Sequence, residues 1–308
     1  MLRWTRARRA LTFATIPPPP FEAFQLGHMR ITLHGLLILV PALIAVAWTV
    51  RRWKARGGSA ELVVDVAVWA LLGGIVGARL YHVATSWSEL PDVWWGPFAV
   101  WRGGLASWGG LLGGTLAGVF VLHRRSVPIR EFMDAAAPAV LLAYALGRLG
   151  NYTNQELFGP PTSLPWGLEV EPDFRPDGYE EYATFQPTFL YELLWEVGVV
   201  FVLLAVERHV RLRPPGLFLL FLAGYGIGRM FGELFFRTDP AITIVGLRLN
   251  FYVATALVLA SGALLARTQR GARSPDTQTV FNVRSHRSGQ SISGSRNSPE
   301  PLARRRQT

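Results

Sequence analysis

FMDAAAPAVLLAYALGRLGNYTNQELFG, residues 132–159, runs from an apolar segment into a polar loop. The apolar part extends from Phe132 to Leu146, and two prolines follow the stretch directly. Arginine, asparagine and glutamate side chains stand where the apolar run gives way, at positions 148, 151, 154 and 156. Such groups are costly beside a bilayer and are usually functional. The stretch therefore predicts a membrane helix that ends in a functional site.

The composition indicates a membrane protein. Half of the 308 residues are hydrophobic and 17% are charged, which is less charge than a soluble domain of this length normally carries. The formal charge of +10 comes from short basic clusters between apolar runs, a distribution typical of multi-span membrane proteins. Membrane lipids are therefore the expected surroundings, and nucleic acid is not an expected partner.

The residue types also limit the chemistry. The chain has no cysteine, which excludes disulfides, a cysteine nucleophile and thiolate metal sites. Its six histidines are scattered and show no paired metal-binding spacing. We therefore expect neither a metal nor a cofactor.

Seven apolar runs are long enough to cross a bilayer. They lie at about 31–50, 62–84, 104–122, 132–149, 188–206, 216–236 and 249–266. The fold class is therefore predicted to be an all-α integral membrane protein with seven transmembrane helices. Basic connecting segments alternate with segments rich in Trp, Pro and acidic residues, so the positive-inside rule places the N-terminus outside and the C-terminus in the cytoplasm. Four arginines within residues 1–9 oppose this orientation without reversing it.

Three regions follow from this pattern. Residues 1–30 form an N-terminal extension, whose apolar patch is too short and too proline-rich for a cleaved signal peptide. Residues 31–266 form the membrane domain, with an external head at about 150–187 between the fourth and fifth spans. Residues 267–308 are basic and poor in apolar residues, so we expect a disordered cytoplasmic tail.

Polar groups from several spans fall at one level, the outer third of the membrane. They are His34, Arg79, Ser107, Trp108, Arg148, Asn151, Tyr191, Glu192, Tyr225, Arg229 and Glu233. Interfacial anchoring explains single residues of this kind, but it explains the whole set less well. Tyr225, Arg229 and Glu233 are four apart and share one helix face. Glu233 either pairs with Arg229 or leaves it to an anionic ligand.

Two of these arginines, Arg148 and Arg229, suit a phosphate-bearing ligand. Guanidinium groups match phosphate oxygens in a bidentate way. In a membrane the abundant ligand of this kind is an anionic phospholipid.

The motif Gly147-Arg148-x-Gly150-Asn151-x-x-Asn154-x-Glu156-x-x-Gly159 resembles the signature of the prolipoprotein diacylglyceryl transferase family. The resemblance covers roughly residues 15–266. Further matching stretches are residues 31–38, 77–81, 103–110, 186–192 and 225–229, together with Glu233.

The resemblance implies an enzyme of the bacterial plasma membrane whose active site faces the outer side. Such enzymes move the diacylglyceryl group of phosphatidylglycerol onto the lipobox cysteine thiol of a prolipoprotein signal peptide, and they release glycerol phosphate. The absence of cysteine is consistent, because the substrate supplies the thiol.

The resemblance also implies the site residues. Phosphatidylglycerol would be bound by a set in which Arg148 and Arg229 hold the phosphate: Arg79, Arg148, Asn151, Gly159, Tyr225 and Arg229. Catalytic polar contacts would come from His34, Asn151, Glu156, Arg229 and Glu233.

Two positions depart from the family pattern. Trp108 stands where many members have a histidine, and His34 stands where they have a tyrosine in the first span. Indole is only a donor, so Trp108 cannot act as a base. The thiol must lose its proton before it attacks, and we hypothesise that His34 or Glu156 assists. The alternatives are that His34 caps the first helix and that Glu156 hydrogen-bonds Asn151 or Arg148.

Two other function classes compete with the enzyme. A transporter could use the same polar cluster, although its site would normally lie near the midplane between repeats. An inactive relative that binds lipid or signal peptide is suggested by Trp108. Thioether-linked product from phosphatidylglycerol and a lipobox peptide would separate the enzyme from both.

Overall fold

The computed structural model describes residues 15–20, 23–26, 29–87, 90, 93–99, 107–238 and 242–270. The predicted disordered tail beyond residue 270 and the first 14 residues of the predicted extension lie outside these ranges. Seven helices are found within them: α1 Leu33–Lys54, α2 Ala60–Thr85, α3 Ser107–Arg124, α4 Ile129–Thr153, α5 Thr188–His209, α6 Gly216–Phe235 and α7 Leu249–Arg270.

Two short 3-10 helices, Gly96–Phe98 and Pro172–Phe174, and three short antiparallel strand pairs complete the described elements. The strand pairs are β1 Ala23–Leu26 with β2 Met29–Thr32, β3 Leu168–Glu169 with β4 Thr184–Phe185, and β5 Thr243–Ile244 with β6 Leu247–Arg248.

Six of the described helices are long and apolar enough to cross a bilayer, namely all except α3. Helical segments satisfy nearly all of their backbone hydrogen bonds internally, which a bilayer requires. The prediction of an all-helical, multi-pass membrane protein is therefore confirmed.

Helix α4 is the most enclosed of the six candidate spans. Half of its most apolar window is buried inside the protein, against 11–28% for the other five. It packs against α1, α5 and α6, whereas α2 packs mainly against α3. Many of the positions that α4 buries are alanine, which allows the neighbouring helices to approach closely.

Glycines bring α2 and α3 into backbone contact. Gly73 and Gly77 face Gly109 and Gly113, and a Cβ atom added at any of these four positions would collide with a carbonyl oxygen of the other helix. Small residues at a spacing of four are the usual means of close helix approach in membranes.

A proline in α4 creates a contact that joins three helices. Pro138 has no N–H, so the carbonyl of Asp134 has no partner one turn later. Arg52 of α1 donates from Nη2 to this carbonyl (3.3 Å) and from Nε to the carbonyl of Ala135 (2.7 Å). Its Nη1 also pairs with Glu207 of α5 at 2.8 Å. One arginine thus ties α1, α4 and α5 together at their basic end.

The side chain of Asp134 fixes the start of α6. Pro215, the residue before this helix, makes no side-chain capping bond. The Oδ1 atom of Asp134 accepts a hydrogen bond from the backbone N–H of Phe218 at 2.8 Å instead. Asp134 of α4 therefore acts as the N-terminal cap of α6, a role that the residue just before a helix normally fills.

Residues 154–187 between α4 and α5 form a small head with its own apolar cluster. Its buried members are Phe158, Leu168, Val170, Phe185 and Phe189. Ile16 packs against this cluster and forms a β-bridge with Leu168. Its N–H donates to the carbonyl of Gly167 at 2.9 Å, and its carbonyl accepts from the N–H of Glu169 at 2.8 Å. The described end of the predicted N-terminal extension is therefore joined to the head.

We expect Asp134→Ala to lower stability by about 1 kcal/mol, because α6 loses its only described N-terminal cap. Thermal unfolding in detergent would measure the change, with the exposed Asp65→Ala as the matched control. Asp65 pairs with Arg125 at the surface, where ion pairs contribute little. Equal melting temperatures for the two variants would contradict the capping role.

Candidate active site

The end of α4 carries the arginine of the motif, and the loop after it is held in an unusual conformation. The helix ends at Thr153, and Gln155 and Leu157 then adopt φ angles of 50° and 57°. Residues other than glycine rarely adopt such φ angles, and these angles persist only where surrounding contacts fix the backbone. The buried Gln155 is one such contact, because its Oε1 accepts from the N–H of Glu171 in the head at 2.9 Å.

Arg148 is buried among acidic and aromatic side chains. Its Nη1 lies 2.8 Å from Oε2 of Glu192, and its Nη2 lies 2.8 Å from Oε1 of Glu196. Its guanidinium carbon stands 4.6 Å from the centre of the Tyr144 ring, a cation–π distance. Both carboxylates come from α5, one turn apart, so Arg148 joins α4 to α5.

Arg229 is held by two carboxylates on different helices. Its Nη2 lies 2.6 Å from Oε1 of Glu233, one turn along α6. Its Nη1 lies 3.4 Å from Oε1 of Glu192 on α5. The ion pair that the spacing of Arg229 and Glu233 allowed is therefore present. At 21% exposure the side chain of Arg229 is more accessible than that of Arg148, at 8%.

Two further arginines complete the cluster. Arg237, just after α6, lies 3.0 Å from Oε1 of Glu192, and Arg248 of β6 lies 2.5 Å from Oε2 of Glu233. Glu192 thus contacts arginines from α4, from α6 and from the segment after α6. We call the seven residues the arginine–glutamate cluster: Arg148, Glu192, Glu196, Arg229, Glu233, Arg237 and Arg248.

A cavity of about 300 Å³ adjoins the cluster between α5 and α6. Charged residues of α4, α5 and α6 line it together with Trp195, Phe231 and Phe236. A space with cations and aromatic rings in its wall fits an amphipathic ligand with an anionic group.

Tyr225 lies in the cavity wall, as its shared face with Arg229 predicted. Its hydroxyl is 3.1 Å from that of Tyr144, and the two rings meet edge to face. Tyr144 also stacks on Arg148, so Tyr225, Tyr144 and Arg148 form a continuous set of contacts.

His34 lies on a different side of α4 from Arg148. Its Nδ1 is 3.2 Å from the carbonyl oxygen of Gly150, and a side chain at Gly150 would overlap its ring. Residues 148 and 150 are two positions apart, so they point to nearly opposite faces of a helix. His34 is not among the residues that line the described cavity.

The remaining predicted site residues stand outside the cavity wall. Arg79 donates to the carbonyls of Gly96 and Pro97 at 2.7 and 2.8 Å. Glu156 is exposed, and its Oε1 lies 3.5 Å from Nδ2 of Asn154.

Asn151 and Gly159 follow Arg148 in the motif and are also absent from the described cavity wall. Asn151 is half-buried and follows Arg148 by three positions, which puts the two on neighbouring parts of the helix surface. Gly159 donates to the carbonyl of Gln186 at 2.9 Å. A side chain at Gly159 would press on Gln186 and Thr188, so the glycine allows the loop to pass close to the start of α5.

Several residues of the site were not predicted from the sequence. Glu196, Arg237, Arg248, Tyr144 and Trp195 were not singled out, and Glu192 was named without a partner. The spacing of Glu192 and Glu196 was a usable signal, because residues four apart share a helix face. The side chains of Ser107 and Trp108 lie outside the described residues.

These features define a multi-pass membrane protein with a polar centre enclosed by its helices. A family model described as prolipoprotein diacylglyceryl transferase matches residues 21–267, which is most of the chain. The chain belongs to the prolipoprotein diacylglyceryl transferase family, and it is therefore a transferase.

Relatives named phosphatidylglycerol–prolipoprotein diacylglyceryl transferase cover most of the chain. The protein of Cutibacterium acnes is 45% identical over 255 residues, which are 82% of this chain and 85% of the relative. The protein of Frankia alni is 41% identical over 263 residues, which are 83% of this chain and 67% of the relative. The Streptomyces coelicolor protein, whose name ends in the number 2, is 37% identical over 298 residues, which are 94% of this chain and 90% of the relative.

Replacing Glu192 by glutamine should destabilise the protein by about 3 kcal/mol, because buried arginines from three segments lose a shared counter-charge. The midpoint of thermal unfolding in detergent would show the loss. Glu181→Gln, an exposed change in the head, is the control and should leave the midpoint unchanged. A variant of Glu192 that melts like the control would show that the arginines do not depend on this carboxylate.

Proposed function

We propose that this chain transfers the diacylglyceryl group of phosphatidylglycerol to the lipobox cysteine thiol of a prolipoprotein and releases glycerol phosphate. The observation that carries the proposal is the meeting of Arg148 and Arg229, from different helices, at one carboxylate beside an amphipathic cavity. The family membership and the names of the relatives support the same reaction.

The reaction is a displacement at a glycerol carbon. The sulfur of the thiolate forms a bond to that carbon, and the bond from carbon to the phosphate oxygen breaks. The phosphate takes the electron pair, so negative charge gathers on it as the bond lengthens. Guanidinium groups fixed beside the phosphate stabilise this charge, and their fixed position lowers the barrier.

Arg229 is the cation that an incoming phosphate reaches most readily. It is the more exposed of the two cavity arginines, and its contact with Glu192 is the longest ion pair in the cluster. Arg148 is enclosed by Glu192, Glu196 and Tyr144, so it holds the carboxylates in place while it contributes positive charge from behind.

Neither predicted acceptor of the thiol proton lines the described cavity, and we favour His34 for its unprotonated ring nitrogen. A carbonyl oxygen only accepts, so the contact with Gly150 requires the hydrogen on Nδ1. Nε2 is then left unprotonated in the neutral ring and is free to accept a proton. Glu156, the other candidate, is exposed and has only a long contact with Asn154.

We place seven spans in the bacterial plasma membrane, with α3 as the third, the head outside, and the tail from residue 267 in the cytoplasm. Basic residues support this orientation, because they occupy the last turns of the described helices α1, α3 and α5. The junction of Ile16 with the head supports an N-terminal segment on the same side. The active site then lies toward the outer face.

Arg229→Ala should lower transfer by at least about a hundredfold, the scale of losing one group that stabilises transition-state charge. The assay combines purified protein, phosphatidylglycerol and a lipobox peptide, and it measures thioether-linked product. Arg125→Ala removes an exposed arginine that pairs with Asp65 and should keep full activity. Wild-type rates in the Arg229 variant would remove the phosphate role, and a wild-type protein that forms no product would refute the transferase itself.

A second substitution pair tests the proton acceptor. His34→Gln should lower kcat by about a hundredfold, the scale of losing a positioned proton acceptor. Glu156→Gln should leave kcat close to the wild-type value. The assignment would be reversed if only the Glu156 variant lost activity.

A further inference from the structure

Trp195 of α5 is fixed against α6 by two contacts. Its indole N–H donates to the carbonyl of Gly224 at 2.9 Å. Its ring lies over Gly228 so closely that a side chain at that position would overlap it. The indole therefore has one defined position in the cavity wall.

The fixed ring presents an apolar face. Its single polar group is already bonded to Gly224, and yet 41% of the residue remains exposed. Phe231 lies beside it, with the ring centres 6.5 Å apart. The exposed part of the indole can therefore gain only from an apolar neighbour.

The position of the indole along α6 can be compared with that of Arg229. Trp195 spans the part of α6 from Gly224 to Gly228, and Gly224 precedes Arg229 by five residues. At 1.5 Å per residue, Gly224 lies about 7.5 Å further from the head than Arg229 does. A phospholipid with its phosphate at Arg229 and its chains directed away from the head would place its glyceryl esters and first methylenes beside the indole. Tryptophan favours this boundary between polar headgroup and hydrocarbon.

We propose that Trp195 is a specificity-determining residue for the lipid donor, whose ring contacts the glyceryl esters and first acyl methylenes and so selects donors with two acyl chains over donors with one. The proposal rests on the transferase function proposed above, and it deepens that function by naming what the Trp195 ring in the wall of the same cavity recognises.

A competition assay tests the selection. Purified full-length protein is given a lipobox peptide and equal amounts of dioleoyl-phosphatidylglycerol and its one-chain lyso form, and mass spectrometry measures the fraction of one-chain product. In Trp195→Ala this fraction should rise about fivefold, because the second chain loses its dispersion contacts with the indole. Gly228→Ala should raise it in the same direction, because the added methyl group displaces the indole. Trp195→Phe should give a smaller rise.

The control is Leu194→Ala, an exposed neighbour on α5 that does not line the cavity, and it should leave the fraction unchanged. A general loss of structure slows both donors equally and does not alter the fraction. If the Trp195 and Gly228 variants are slower but keep the wild-type fraction, the specificity role is refuted while the transferase stands. If Trp195→Ala does not fold, Trp195→Phe and Gly228→Ala decide the outcome. A wild-type protein that forms neither product would refute the proposed function and this inference with it.

Discussion

A buried carboxylate shared by several arginines is the constraint on which the rest of the site depends. Glu192 is almost fully enclosed, and so are Arg148 and Arg237, two of its three partners. An enclosed charge without a partner costs several kcal/mol, so none of these side chains can be moved independently of the others. The segments that carry them are α4, α5 and the end of α6, and the cluster therefore determines how these segments meet.

The opposite end of the bundle supports this arrangement. Arg52 binds the carbonyl that Pro138 leaves free in α4, and Asp134 caps α6 from the same helix. Helix α4 is thus joined to α6 at both ends, by the hydrogen bond that Asp134 accepts from the N–H of Phe218 at the basic end and through Glu192 at the head end. Two separated attachments fix both the tilt and the axial position of α6. Tyr225 and Arg229 are consequently held opposite Tyr144 and Arg148.

The sequence predicted the parts of the molecule that depend on local pattern. Apolar length predicted the helices, and the spacing of Arg229 and Glu233 gave their ion pair as one of two alternatives. The partners of Glu192 could not be predicted in this way, because they depend on which faces of three helices meet. Arg237 and Arg248 lie in a loop and a short hairpin, where no periodicity marks a buried position. His34 was expected at the same depth in the membrane as Arg148. Depth does not determine which face of a neighbouring helix a residue contacts, and the structure places His34 of α1 against a face of α4 that Arg148 does not occupy.

The cavity combines the two kinds of surface that a phospholipid presents. Charged groups, of which Arg229 is the most accessible, line it together with the aromatic rings of Trp195, Phe231 and Phe236. The glycines of α6 make this lining possible, since Gly228 leaves room for the indole and Gly232 leaves room for Glu192. Larger residues there would push α5 away from α6 and would separate the charges from the apolar wall. Close packing of α5 against α6 therefore brings the charged and the aromatic residues of the site together.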